Sequence, residues 1–101
     1  MMEKDAALVL AAENGQTDTV RALLDAGADV HAVADLAMWL AAKNGHTETV
    51  KVLLDAGAHV RAKEDWALQW AVKNGHTDTV RLLKEWIARE VKTPAEGSET
   101  T

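Results

Sequence analysis

No cysteine occurs in these 101 residues, which excludes disulfides and thiolate chemistry together. Phenylalanine and tyrosine are also absent, so aromatic surface can come only from four tryptophans. The single proline, Pro94, lies near the C-terminus and leaves the preceding chain without a helix breaker. Apolar runs no longer than Ala6–Ala12 are far too short to span a membrane. Met1–Asp5 lacks the basic start and cleavage site of a secretory signal, so a soluble, reducing, cytoplasmic setting is expected. Positive charge is in deficit. Eleven Lys and Arg against sixteen Asp and Glu give a net charge of −5, which argues against nucleic acid as the main partner. No glycine-rich motif precedes Lys-Ser or Lys-Thr, so a phosphate loop is excluded.

What the chain does contain is one stretch three times over: Asn14-Gly15-Gln16-Thr17-Asp18-Thr19-Val20, Asn44-Gly45-His46-Thr47-Glu48-Thr49-Val50 and Asn74-Gly75-His76-Thr77-Asp78-Thr79-Val80. The period is roughly 30 residues, within the range that marks stacked repeats. Each copy reads as a joint between two helices. Asn-Gly ends one helix through positive φ, the following Thr is placed to cap the next, and an acidic residue sits in that helix's first turn. Asp5, Asp35 and Asp65 precede apolar runs and read as N-caps of first helices at Ala6–Glu13, Leu36–Lys43 and Trp66–Lys73. Helical spacing puts Ala7, Leu8, Ala11 and Ala12 on one buried face, with Ala37, Met38, Ala41, Ala42 and then Ala67, Leu68, Ala71, Val72 in the same positions.

Second helices should start near Asp18, Glu48 and Asp78 and bury Val20, Leu23, Leu24, then Val50, Leu53, Leu54, then Val80 and Leu83. The first two stop at Gly27 and Gly57. In the third repeat Lys84 replaces the core Leu and Ile87 replaces the Gly, so that helix is expected to run to about Lys92 with a polar outer side. The repeats then span about 6–35, 36–65 and 66–92 in one domain over 1–92. A disordered tail is expected over 93–101.

The stretch Asn44–Ala58 resembles the second-helix signature of ankyrin repeats, and the resemblance extends over about residues 5–92. It implies an all-α solenoid of three stacked helix-turn-helix repeats. Two departures matter: Ala, with Val9, Trp39 or Gln69, replaces the Pro and His of the Thr-Pro-Leu-His-x-Ala motif, and Ala28–Ala34 and Ala58–Glu64 lack hairpin turns. Truncated fingers with little or no strand are therefore expected, similar to the family's short-finger variety. The family function implied is non-catalytic protein binding, and the face expected to take the partner is the concave, first-helix one.

Catalytic, cofactor and metal sites are not expected. His46 and His76 share a repeat position, which should separate them by roughly 8–10 Å, too far for one zinc ion. The resemblance gives them a bracing role at the turn. His31 and His59 sit in loops without a matching partner. Each carboxylate has a local role, and none marks a pair suited to acid–base work.

The anomaly is apolar. Opposite the buried face, the first helices carry Ala6, Val9, Leu10 and Glu13; Leu36, Trp39, Leu40 and Lys43; Trp66, Gln69, Trp70 and Lys73. A solvated face would be mostly charged. The stripe is either packing between repeats or a Trp-rich surface for a protein partner or a second copy of the chain. Leu10, Glu13, Leu36, Trp39, Leu40, Lys43, Trp66, Gln69, Trp70 and Lys73 are the candidate contact residues. Trp86 reads as a cover for the C-terminal side. Self-association as a homo-oligomer and an engineered, consensus-derived scaffold are the alternatives, since the first two repeats are identical at most positions.

Overall fold

The computed structural model describes residues 3–99, with side chains through residue 90. Six helices follow in order: α1 (Glu3–Glu13), α2 (Thr17–Asp25), α3 (Ala32–Lys43), α4 (Thr47–Asp55), α5 (Ala62–Lys73) and α6 (Thr77–Glu99). No strand occurs among the described residues, as the truncated fingers require. Each odd helix pairs with the even one after it. The pairs stack, with α3 between α1 and α5 and α4 between α2 and α6.

Glycine sets the helix ends. Gly15 (φ 71°) donates to Ala12 O and Gln16 to Ala11 O, and Gly57 (φ 105°) and Ala58 repeat the pattern on Leu54 O and Leu53 O. Both are Schellman caps, with the last carbonyls of one helix satisfied by the N–H groups just beyond its end. The threonines are used differently from the sequence expectation. α2 and α4 begin at Thr17 and Thr47, one residue earlier than expected, with no side-chain cap bond at Gln16 or His46. The Thr hydroxyls instead turn sideways: Thr17 Oγ1 lies 2.7 Å from Thr49 Oγ1, and Thr47 Oγ1 lies 2.7 Å from Thr79 Oγ1. A hydroxyl can both donate and accept, so a Thr ladder joins successive repeats with the inner members, Thr49 and Thr79, fully buried.

The N-cap reading of Asp5, Asp35 and Asp65 also changes. Asp5 accepts from the Asp29 N–H at 2.7 Å and Asp35 from the His59 N–H at 3.3 Å, each reaching the turn before the next repeat. Asp65 has a long helix where that turn would be, and takes the Arg61 fork instead, at 2.8 and 2.9 Å. The Arg61 guanidinium holds the Asp65 carboxyl below the ordinary aspartate range. Ahead of α3 and α5 proper, Val33-Ala34-Asp35 and Lys63-Glu64-Asp65 all adopt positive φ, between 54° and 68°, as single left-handed turns. No glycine marks them, so this geometry has no signal in the residue types.

The ends of the stack show which way each side chain faces. Ala37 and Ala67 are buried but Ala7 is exposed, so that position faces the preceding repeat, and among the described residues no repeat lies before α1. Ala12 and Ala42 are fully buried but Val72 is 55% exposed, so that position faces the following repeat. Ala7 and Val72 therefore leave the core the periodicity assigned to them. Small residues at both positions let first helices approach closely. Leu8, Met38, Val20, Val50, Leu53 and Leu83 fill the space between first and second helices, and each such burial stabilises the fold by about 1.5–3 kcal/mol. Leu23, Leu24, Leu68 and Val80 are only half-buried. The last helix extends past Lys92 to Glu99.

Candidate functional site

Because α1, α3 and α5 lie side by side, residues one repeat apart form rows across the first-helix face. Leu10, Leu40 and Trp70 make one row, and Glu13, Lys43 and Lys73 another. Leu10 is 58% exposed and Trp66 38%, while Leu36, Leu40 and Trp70 are half-buried. Val9 and Trp39 turn inward and pack against the core. Packing and exposure thus divide the stripe between them, residue by residue.

The aromatic part gathers at the second and third repeats. Trp39 and Trp66 meet edge to face, with ring centroids 5.2 Å apart and planes at 87°. Lysines lie over the other faces: Lys43 Nζ is 4.7 Å and Lys73 Nζ 5.0 Å from the Trp70 ring centre, and Lys63 Nζ is 5.3 Å from that of Trp66. Such contacts contribute about 0.5–1 kcal/mol each at exposed sites, little enough for a ligand to redirect the ammonium groups. Trp66, Gln69, Trp70 and Lys73 line a shallow depression. Gln69 is less free than it looked in sequence, since its side chain donates to Glu64 O at 2.7 Å.

The structure therefore brings Trp39, Lys43, Trp66, Gln69, Trp70 and Lys73 together. Leu10 and Glu13 sit on the outer helix, α1. Lys63 is the member sequence reasoning missed, because it enters from the left-handed turn and not from the helix whose spacing was counted. Trp86 half-covers the core at the other side of the stack, with Arg89 4.4 Å from its ring centre.

The histidines divide otherwise than expected. The His46 ring lies against Gly15 and the His76 ring against Gly45, and His46 Nε2 is 3.0 Å from Glu13 O. They brace the joint of the preceding repeat, which is why that joint needs Gly. Asn44 and Asn74 add bonds to Glu13 O and Lys43 O at 3.1 and 2.9 Å. His31 and His59 do have a common partner: both rings approach Asp35, and they stack on each other with centroids 4.3 Å apart.

Three helical hairpins, stacked in parallel and joined by short turns, define a helical-repeat solenoid. A model of ankyrin repeats matches residues 8–93 as three copies. The chain belongs to the ankyrin repeat family. A search of curated proteins found no match. Ankyrin repeats are generally protein–protein interaction modules and typically non-catalytic. Among the described residues no helix is long and apolar enough to cross a membrane.

Proposed function

We propose that this chain is a non-catalytic binding module that takes an acidic, apolar-anchored segment of a partner protein on its first-helix face. The observation that carries the reading is the pairing of Trp66 and Trp70 with three lysines on a molecule whose net charge is −5. Exposed tryptophan offers the large apolar contact from which interface hot spots are built. Lys43, Lys63 and Lys73 hold local positive charge beside it, and carboxylates of a partner would draw the ammonium groups off the rings while the anchor covers them.

A peptide-display selection against the immobilised chain tests this. Enrichment of sequences that combine acidic residues with large apolar ones is expected, and their binding should weaken with Lys73→Glu but not with Lys51→Ala on α4. Enrichment of neutral or basic sequences indifferent to Lys73→Glu would overturn the proposal. Sedimentation across a concentration range distinguishes a second copy as the occupant, since only self-association makes the mass depend on concentration.

A further inference from the structure

One cluster has no role in the proposed binding. Asp35 is 2% exposed, and its two carboxylate oxygens face two imidazoles. His31 Nδ1 lies 2.6 Å from Oδ1 and His59 Nδ1 lies 3.2 Å from Oδ2. All three ligand atoms fall within 4.8 Å of one another, and this is the grouping of its kind among the described residues. We propose that His31, Asp35 and His59 form a site for a zinc ion that clamps the turn before α3 to the turn before α5.

The donor set suits that ion. Two neutral imidazoles and a carboxylate are borderline ligands that favour zinc and its neighbours over magnesium or calcium, which want oxygen alone. Zinc takes nitrogen and oxygen ligands at about 2.0–2.2 Å, so ligand atoms in a tetrahedral site stand roughly 3.3 Å apart. The His59–Asp35 separation already fits. The 2.6 Å separation of His31 Nδ1 is from the other oxygen, Oδ1, so with Oδ2 as the zinc ligand the His31 ring must turn from its hydrogen bond toward the ion. Both histidine side chains can adjust, being 43% and 72% exposed, while the carboxylate they share is buried. The His59 backbone N–H, bonded to Oδ2 at 3.3 Å, orients the carboxylate in the way outer hydrogen bonds orient metal ligands. Three protein ligands on an exposed turn leave the fourth position to water.

The other repeats show what a structural pairing looks like without this set. Asp5 faces the backbone of Asp29, and Asp65 is closed by the Arg61 fork. Among the described residues, Asp35 of the middle repeat is the one repeat aspartate that meets two histidines.

The test uses chain stripped of metal with a chelator and titrated with Co²⁺, then with Zn²⁺, at neutral pH. One equivalent of Co²⁺ should give the visible absorption of a low-coordinate site, Zn²⁺ should displace it, and zinc should raise the melting temperature. His59→Ala and His31→Ala should each weaken binding at least ten-fold, while His46→Ala leaves it unchanged; circular dichroism checks that each variant is folded. Absence of saturable one-to-one binding overturns the proposal. So does binding that His59→Ala leaves intact, whichever residues then prove responsible.

Discussion

Gly45 and Gly57 both hold positive φ, yet for different reasons. A Cβ on Gly57 would meet no neighbour within 4 Å, whereas one on Gly45 would stand 2.5 Å from His76 Nδ1. Gly57→Ala should therefore cost only the left-handed penalty, about 1–2 kcal/mol. Gly45→Ala should cost distinctly more, and the excess should shrink when His76 is also replaced by Ala. Chemical denaturation of the two single variants and the double variant measures this directly. Equal costs at the two glycines would show that the histidine does not press on the joint. Asp65 offers a second test at this scale. Its folded carboxyl titrates below the ordinary 3.8 because of Arg61, so the pair's contribution is present above that value and fades as pH falls through the lower, folded one. Asp65→Asn should melt below the parent at neutral pH, and the gap should close in acid below about pH 3.8. A gap that persists in acid would assign the loss to shape and not to charge.

Among the elements, Lys84 marks the end of the stack. Its counterparts Leu24 and Leu54 are half-buried and buried because a further second helix lies over each, whereas among the described residues no helix lies over Lys84, which is exposed. Lys84→Leu should shift the chain toward oligomers in sedimentation, by opening an apolar site at an uncovered end. A variant that stays monomeric and melts higher would mean that the lysine stem already covers buried surface. The helices themselves were legible in the sequence. Asn-Gly and Ala-Gly end a helix by a local rule, and the apolar spacing of Leu8, Met38 and Leu53 is local too. What lies between repeats was not legible. Thr17 and Asp35 look like caps because capping is what such residues do within one element; their actual partners, Thr49 and His59, are brought near only by stacking. Residues 31 and 59 do not share a repeat position, so periodicity hid the pair on Asp35. The left-handed turns at Val33–Asp35 and Lys63–Asp65 are invisible for another reason: no glycine is there to announce positive φ.

For the molecule as a whole, the rows across α1, α3 and α5 were legible because a fixed repeat turns sequence offset into spatial adjacency. How much of each row is buried was not, since that depends on which neighbours cover it. Trp39 is drawn inward to meet Trp66, while Trp70 remains half-open beneath Lys43 and Lys73. The central claim is that this open part is a partner surface and not merely packing between repeats. The most direct measurement is Trp70→Ala, with thermal stability and the affinity for a selected acidic peptide determined on the same preparation. A binding surface predicts melting close to the parent and an affinity reduced about ten-fold or more, as for a hot-spot residue. A loss of about 3–5 kcal/mol in stability, the cost of emptying an aromatic core site, with the peptide bound as tightly as before by the folded fraction, would contradict the account.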